Sequence, residues 1–233
     1  RLKKLRNIFK AYKLNGYIVP KNDEFFGEYV DQRDDKLHYI SSFSGSAGFG
    51  LILEKKAYLF VDGRYTLQAK KELNKNFKII EIHKIKPSKL LEKINKKLII
   101  GFDPKLFNET NLINNFKKKN ITLVPVEKNL IDKIWSKKTK VKINKFFILD
   151  SKYVGENYKM KINIVSKILK EKKIDKLLIT APENLAWMLN IRGRDSKYSP
   201  LPNCHGIIDN KKKITLIVNK NKINKKFKSY FGN

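Results

Sequence analysis

The chain has 233 residues, 41% of them hydrophobic and 11% aromatic, which suffices for one large core or two ordinary ones and excludes a disordered chain. Its single cysteine excludes an intramolecular disulfide and favours a reducing compartment, so we expect a cytoplasmic protein. The sequence has no apolar run near the roughly 18 residues of a membrane span, and no signal-peptide pattern opens it. It begins at Arg1 without an initiator Met and ends on what resembles the start of a helix. We therefore expect a fragment of a longer chain, from which a targeting segment could have been removed.

The formal net charge of +30 raises the question of nucleic-acid binding. Only six of the 52 basic residues are arginine, although the planar guanidinium is the better reader of phosphates and base edges. The lysines are dispersed and accompanied by many Asn and Ile residues, as an AT-rich coding bias would produce. The composition favours such a bias and predicts no specific nucleic-acid partner. A nucleic-acid-binding protein stays open as an alternative, which the salt dependence of duplex binding would separate.

In the first part of the chain, strand-like and helical patterns alternate. Residues 51–53 and 57–61 are two apolar runs around a charged turn, which predicts an antiparallel hairpin. Further strands are predicted over 17–19, 77–82, 98–102 and 121–126, and helices over 1–14, 64–74, 87–96 and 108–118. This alternation predicts an α/β fold whose sheet is mixed.

A charged, non-periodic stretch follows, and it predicts a linker near residues 136–145. The second part repeats the α/β order of the first. We expect helices at about 156–172 and from 182 onward, and strands over 176–180, 206–208 and 213–218. The fold class is therefore α/β with two successive domains, each a mixed sheet flanked by helices.

Metal-binding and nucleophile patterns are not found in the sequence. His38, His83 and His205 are far apart and belong to no His-x-x-x-His or Cys-x-x-Cys arrangement. Cys204 and His205 would point to opposite faces of a strand. The serines of the Gly-rich segment and Cys204 have no adjacent base. We expect neither a metal site nor a catalytic residue in this chain.

The Gly-rich segment 44–48 (SGSAG) allows two interpretations. It could cradle a phosphate, but it lacks the Gly-Lys-Ser/Thr ending of a P-loop and leads into a strand instead of a helix. Small residues also permit a tight turn with close backbone packing, and the sequence favours this interpretation.

Two other polar segments are candidates for a site. In 62–65 (DGRY), Asp62 could cap a helix and pair with Arg64, or Arg64 could reach from the strand end toward a ligand carboxylate or carbonyl. The local interpretation is favoured by spacing. The segment 191–195 (IRGRD) lies between an apolar helix and two prolines, and it could be a site, an interface or a solvated loop.

Six motifs occur in one order along the chain: 45–48 (GSAG), 61–65 (VDGRY) with 68–69 (QA), 101–104 (GFDP), 129–135 (NLIDKIW), 184–193 (NLAWMLNIRG) and Pro200. In this order and at these separations they resemble the aminopeptidase P (Xaa-Pro aminopeptidase) family in its long, three-domain form. The resemblance runs over nearly the whole chain.

The resemblance implies two creatinase-type N-terminal domains, 1–137 and 145–233, the second of which could be incomplete at its C-terminal end. In the family, a pita-bread domain follows and holds two metal ions, usually manganese, by two Asp, two Glu and a His. It removes the first residue of peptides with proline in second position, through a metal-activated water. None of these ligand segments lies in this chain, which we expect to be inactive alone, and a homodimer when full length.

By the same resemblance, Arg64 is expected to face the substrate cleft, and Arg192 is a second candidate at the domain interface. Two positions depart from the family pattern: Ser42 stands where a Gly is common, and Arg194 where a small Ser is usual. The alternative to an enzyme part is a stand-alone binding or interaction module that kept the creatinase-type fold and lost catalysis.

Overall fold

The computed structural model describes residues 1–94, 96–136 and 143–232. The chain divides into two compact units: Arg1–Glu24 with Val30–Lys138, and Phe25–Tyr29 with Thr139–Asn233. Most of the predicted linker, 136–145, lies outside the described residues. None of the helices in the described ranges has the length and apolar character needed to cross a membrane.

The described part of the first unit contains six strands and six α-helices. The strands are β1 (Gly16–Pro20), β2 (Phe49–Leu53), β3 (Ala57–Val61), β4 (Lys78–Glu81), β5 (Leu98–Phe102) and β6 (Ile121–Pro125). The helices are α1 (Leu2–Phe9), α2 (Lys36–Ser41), α3 (Thr66–Glu72), α4 (Pro87–Glu92), α5 (Glu109–Phe116) and α6 (Leu130–Ile134).

These strands form one mixed sheet in the order β4-β3-β2-β1-β5-β6. Its centre is antiparallel, with β2 paired to β1 and, through the short turn at 54–56, to β3. The outer strands are parallel to their neighbours: β4 beside β3, β5 beside β1 and β6 beside β5. Each is reached through a helical crossover, as parallel pairing requires. The predicted mixed α/β sheet is confirmed in this unit.

One core lies on each face of the sheet, because successive strand residues point to opposite sides. On one face, Tyr17 and Val19 pack with buried residues of α1, α2, α3 and α6. On the other, Ile18 and Phe60 pack with buried residues of α4 and α5. Since full burial of one large apolar side chain contributes about 1.5–3 kcal/mol, both faces add to stability.

The structure contains two helices that the sequence pattern did not predict, α2 and α6. In α2, Asp35 caps the helix by accepting the His38 backbone N–H at 2.9 Å, and Lys36 is buried with its Nζ 3.6 Å from Asp132 of α6. A buried lysine at the start of a six-residue helix breaks the apolar periodicity on which prediction depends.

The described part of the second unit contains β7 (Phe147–Ile148), α7 (Tyr158–Glu171), β8 (Lys176–Ile179), α8 (Pro182–Leu189), β9 (Ile191–Arg192), β10 (His205–Asp209), β11 (Ile214–Ile217) and α9 (Lys225–Phe231). The strands form a sheet in the order β11-β10-β8 and a separate pair, β7-β9. Residues of α7, α8, α9 and β10 share one core, which includes Ile162, Leu185, Phe227 and Ile208.

The predicted α/β fold with helices flanking a sheet is confirmed here too, but the sheet differs in one respect. Every pairing among the described strands of this unit is antiparallel, whereas a mixed sheet was expected. In the first unit, all parallel partners come after the β2–β3 hairpin. The second unit has the corresponding hairpin, β10–β11, followed in the described residues by a 3-10 turn (Lys220–Lys222) and α9.

Candidate functional site

The turn after β3 places Arg64 on the surface of the first unit. Asp62 Oδ1 accepts the Arg64 backbone N–H at 2.9 Å and Nε at 3.1 Å, and Oδ2 accepts Nη2 at 2.8 Å. These hydrogen bonds lower the pKa of Asp62 and raise the pKa of Arg64. The predicted cap and local ion pair are therefore present. The Arg64 side chain is nevertheless 75% exposed, so its guanidinium also faces solvent.

The Gly-rich segment packs against α3. Ser44 donates its backbone N–H to Glu72 Oε2 at 2.7 Å and its hydroxyl to Oε1 at 2.9 Å, and Gln68 Nε2 donates to Oε1 at 2.9 Å. Burial acts to raise the pKa of Glu72, but the hydrogen bonds from Ser44 and Gln68 outweigh it and the pKa is lowered. Gly48 has φ +141°, and a Cβ there would lie 2.8 Å from the Phe60 carbonyl oxygen. These contacts favour the tight turn over the phosphate cradle, because a carboxylate already accepts the Ser44 N–H.

Tyr65 joins the Gly-rich segment to Arg64. Its hydroxyl lies 2.7 Å from the Ser46 hydroxyl, and the Arg64 guanidinium carbon lies 5.3 Å from the centre of its ring. The end of β3 thus carries a polar surface cluster. We call it the β3-end cluster, and it consists of Ser44, Ser46, Arg64, Tyr65, Gln68 and Glu72.

In the second unit, Arg192 binds the end of a helix. Its Nη1 donates to the Ala186 carbonyl at 2.9 Å. Lys161 of α7 donates to the Trp187 carbonyl at 2.8 Å and to Asn190 Oδ1 at 2.7 Å. The last carbonyls of a helix carry partial negative charge, so both cations stabilise the end of α8. Burial, and then the charge of Arg192, lower the pKa of Lys161.

The loop after β9 is held at both ends. Gly193 donates its N–H to the Pro200 carbonyl at 3.1 Å. Asp195 Oδ2 accepts the Asn203 N–H at 2.8 Å and pairs with Lys222 Nζ at 2.7 Å. The side chains of Asp195 and Lys222 are only 10% and 14% exposed. The loop is therefore anchored near both ends, while Arg194, Lys197 and Tyr198 between the anchors are exposed to solvent.

Arg194 lies on the outside of this loop. Its carbonyl accepts a hydrogen bond from Asn144 Nδ2 at 2.7 Å, and its guanidinium carbon lies 6.0 Å from the centre of the Phe147 ring. The long cation at the position of a usual small Ser is therefore accommodated at the surface, beside an aromatic ring.

Cys204 and His205 are both held by contacts within the second unit. Cys204 is buried, and this burial raises the pKa of its thiol to about 12. His205 begins β10, with its Nδ1 3.0 Å from the Thr180 carbonyl oxygen and its ring stacked on Phe25 at 5.0 Å. Over the described residues, no group of three or more His, Cys, Asp or Glu side chains is placed to hold a metal ion.

Sequence reasoning missed the contacts that join distant segments. Ser44 and Glu72 are 28 residues apart, and Lys161 and Asn190 are 29 apart. A single sequence gives no signal for such pairs. The sequence singled out the segments 44–48 and 62–65 separately, and the spacing of Gln68 and Glu72, one helical turn apart, is a signal for the contact between these two side chains.

The chain is similar to known proteins over both of its units. The creatinase/prolidase N-terminal domain family matches the chain twice, over residues 1–134 and 137–233. The probable Xaa-Pro aminopeptidase P of Laccaria bicolor is 34% identical over 209 residues, which cover 86% of this chain and 33% of that protein. Xaa-Pro aminopeptidase 1 of Dictyostelium discoideum is 34% identical over 244 residues, which cover 98% of this chain and 39% of that protein.

A solved structure has the same fold. The X-prolyl aminopeptidase of Caenorhabditis elegans, described as a cytosolic enzyme with a di-nuclear active site, superposes with a TM-score of 0.90 at 27% identity. The match covers 99% of this chain and 40% of that enzyme. The chain thus spans well under half the length of the relatives that it matches. With both of its units matched, the chain belongs to the creatinase/prolidase N-terminal domain family.

Proposed function

We propose that this chain is the non-catalytic N-terminal part of a metal-dependent Xaa-Pro aminopeptidase. The observation that carries the proposal is the superposition on the Caenorhabditis elegans enzyme, which includes 99% of this chain and only 40% of that one. The parent protein would remove the first residue from peptides whose second residue is proline.

The chemistry belongs to another part of the parent protein. The described residues do not fit a metal centre, since no group of three or more candidate ligand side chains converges. We place two divalent metal ions, manganese by family resemblance, in a pita-bread domain that is absent from this chain. When bound there, they would activate water for hydrolysis.

The role of this chain is to shape the substrate cleft through two domains, which we assign to 1–137 and 145–233. Arg64 is the first candidate for contact with the peptide. Its guanidinium is held by Asp62 on one side and open to solvent on the other, so it can donate to a carbonyl or carboxylate without a change of rotamer. Arg192 is the second candidate, but its bond to the Ala186 carbonyl favours a supporting role.

The remaining features follow from the same proposal. The parent protein would be cytoplasmic, would act on Xaa-Pro peptides as a homodimer, and would have no specific nucleic-acid or membrane partner. The single cysteine, buried and without a partner for a disulfide, is compatible with a reducing compartment.

The test starts with the parent gene's reading frame past Asn233. If it encodes a pita-bread domain with spaced Asp, Asp, His, Glu and Glu, the full protein is purified with manganese and assayed on Xaa-Pro and matched Xaa-Ala peptides. Selective cleavage of the Xaa-Pro peptide is expected. A stop codon close after Asn233, or a full protein without this activity, contradicts the enzyme proposal, and the stand-alone binding module takes its place.

Arg64→Ala in the full protein tests the cleft assignment. We expect KM for the Xaa-Pro peptide to rise about tenfold, as for loss of one charge-assisted hydrogen bond, with the melting temperature unchanged. Arg33→Ala is the matched control, because Arg33 pairs with Asp31 through Nε at 2.8 Å and Nη2 at 2.8 Å in the same two-residue arrangement. Equal effects of the two substitutions on KM would show that Arg64 has no special place in the cleft.

A further inference from the structure

The outward side of α3 carries an exposed leucine among cations. Leu67 is 72% exposed, and in the described part of the chain no other large hydrophobic side chain is as exposed. Arg64 lies one turn before it, and Lys70 and Lys71 lie one turn after it. Residues three and four apart lie on one side of a helix, so Leu67 adjoins the three cations, and all four side chains are exposed. We call these four residues the α3 outer stripe.

The inward side of the same segment is already engaged by the fold. Ala69 is 0% exposed, and Tyr65 packs against the core. Gln68 Nε2 donates to the Glu72 carboxylate, which also accepts the backbone N–H of Ser44. These contacts fix α3 to the first unit without any contribution from the outer stripe. The outer stripe is therefore available for a ligand.

Apolar surface beside positive charge is a combination that specifies a kind of ligand. A single exposed leucine is common on proteins and carries no information by itself. Leu67, however, has cations on both sides, and their alkyl chains extend the apolar area while their charged groups stay in water. The ligand that fits has an apolar group next to a negative charge.

Arg64 has hydrogen-bond donors left for such a ligand. A guanidinium has five N–H groups, and Arg64 uses two of them, on Nε and Nη2, to bind the Asp62 carboxylate. The other three have no hydrogen-bond partner among the described residues. Because Asp62 already fixes the rotamer, Arg64 can bind a second carboxylate with little further loss of conformational freedom.

The carboxylates around the outer stripe are engaged elsewhere. Asp62 pairs with Arg64, and Glu81 of β4 accepts Lys84 Nζ at 2.9 Å. No ion pair within 4.0 Å joins Lys70 or Lys71 to a carboxylate of the described ranges. Positive charge therefore remains around Leu67, and it is complementary to an anionic ligand.

We infer that the α3 outer stripe is a subsite for the C-terminal residue of a short peptide substrate. Leu67 contacts an apolar side chain on the residue after the proline, and Arg64 binds the terminal carboxylate of that same residue. Neighbouring side chains on a helix have Cβ atoms about 5–6 Å apart, so one C-terminal residue reaches both. Lys70 and Lys71 add attraction for the carboxylate. The favoured substrates are tripeptides such as Xaa-Pro-Leu with a free C-terminus.

The inference rests on the proposed function and adds to it the class of peptide that is preferred. Two ratios of kcat/KM in the full-length parent protein test it. Ala-Pro-Leu should be cleaved about fivefold more efficiently than Ala-Pro-Gly, because only the leucine side chain covers Leu67. Ala-Pro-Leu should also exceed its C-terminal amide about tenfold, as for one charge-assisted hydrogen bond. If either ratio is close to one in the wild-type protein, the inference is overturned.

Each of two substitutions should remove one of these preferences. Leu67→Ser should bring the leucine-to-glycine ratio to about one and leave the carboxylate-to-amide ratio at about ten, and Arg64→Ala should do the opposite. A ratio of two peptides on one preparation does not depend on how much of the enzyme is folded, so a purely structural role of either residue does not change it.

The matched control is Ile113→Ser on α5, where Ile113 is 39% exposed. It should leave both ratios at their wild-type values. A leucine preference that persists in Leu67→Ser, or one that is lost in Ile113→Ser, overturns the inference.

An acidic side chain farther along a longer peptide is the other possible source of the carboxylate. The C-terminal amide of Ala-Pro-Leu-Asp carries only that carboxylate. If it is cleaved more efficiently than Ala-Pro-Leu, the subsite does not recognise a peptide C-terminus and the inference is overturned. We expect it to be cleaved no better than the amide of Ala-Pro-Leu.

Binding of acetyl-Pro-Leu, which has no amino terminus, separates the inference from the proposed function. Titration calorimetry with the parent protein should give a Kd about tenfold lower than for the amide of this peptide, and Leu67→Ser should raise the Kd about fivefold. If the parent protein binds in this way but cleaves no Xaa-Pro peptide, the proposed function is contradicted and the inference stands. If it cleaves Xaa-Pro peptides and neither the ratios nor the Kd depend on Leu67, the inference alone is overturned.

Discussion

The Asp195–Lys222 ion pair should be the main polar anchor of the loop between β9 and β10. The two side chains are 10% and 14% exposed, and Asp195 also accepts the Asn203 N–H at 2.8 Å. In Asp195→Ala, a nearly buried ammonium and a backbone N–H lose their common partner. Breaking a buried pair from one side costs about 3–5 kcal/mol, and since this pair keeps some contact with water we expect about 3 kcal/mol.

Urea unfolding followed by circular dichroism measures this loss. With a slope of about 1.5 kcal/mol per molar urea for a domain of this size, the midpoint of the second unit should fall by about 2 M. The control is Glu171→Ala, which removes an exposed pair: Lys167 Nζ lies 4.0 Å from Glu171, and the side chains are 80% and 60% exposed. That variant should lose less than about 0.5 kcal/mol.

A double variant distinguishes the loss of the ion pair from the cost of leaving one buried charge unpaired. Asp195→Leu combined with Lys222→Met removes both charges together, so it should recover the part of the stability that Asp195→Ala loses through the unpaired ammonium, while the Asn203 N–H still lacks its acceptor. If Asp195→Ala and Glu171→Ala have the same midpoint, the burial argument for this loop is wrong.

Three further substitutions or probes have definite expected outcomes. The buried Cys204 thiol, whose pKa is raised to about 12, should react with a disulfide reagent at about pH 8 at least 100-fold more slowly than in the urea-unfolded chain, and equal rates would contradict its burial. Because the pKa of Glu72 is lowered in the folded state, its carboxylate stabilises the fold above the unfolded pKa, and this contribution is lost as pH falls through the folded pKa. Glu72→Gln should therefore lower the urea midpoint at neutral pH, and the difference should shrink as the pH falls below the unfolded pKa of about 4.3. A difference that stays constant as the solution is acidified refutes the hydrogen-bond explanation. Lys173→Gly should raise the free energy of unfolding by about 0.5–1 kcal/mol in urea titrations, since relief of the left-handed strain exceeds the added entropy of glycine in the unfolded chain.

The elements that the sequence predicted correctly are those with a local pattern of apolar side chains. The runs that became β3 and β5 are apolar and bounded by turn residues, so their position follows from a few neighbouring side chains. The predicted helix ends extend beyond the observed ones by a few residues: 87–96 was expected where α4 is Pro87–Glu92. Helix ends depend on capping contacts, which a hydrophobic pattern does not contain.

The contacts of the candidate site are also of two kinds: those between neighbouring residues, which could be predicted, and those between distant segments, which could not. The Asp62–Arg64 pair was predictable because the partners are two residues apart and share a turn. The contact of Ser44 with Glu72 spans 28 residues, and its existence depends on how the Gly-rich segment packs against α3. Such packing is a property of the folded sheet, and the sequence shows only that both segments contain polar residues.

The positions of the lysines bear on the origin of the +30 charge. Lys13, Lys173 and Lys212 have positive φ values, where a side chain costs about 1–2 kcal/mol and glycine or asparagine is the usual choice. Lys36 and Lys161 are buried, and their ammonium groups are committed to Asp132 and to the end of α8. Selection for a nucleic-acid surface would concentrate cations on one exposed face. Lysine at strained, buried and solvent-facing positions alike is instead what a coding bias produces, so these positions favour composition over a dedicated nucleic-acid surface as the origin of the charge.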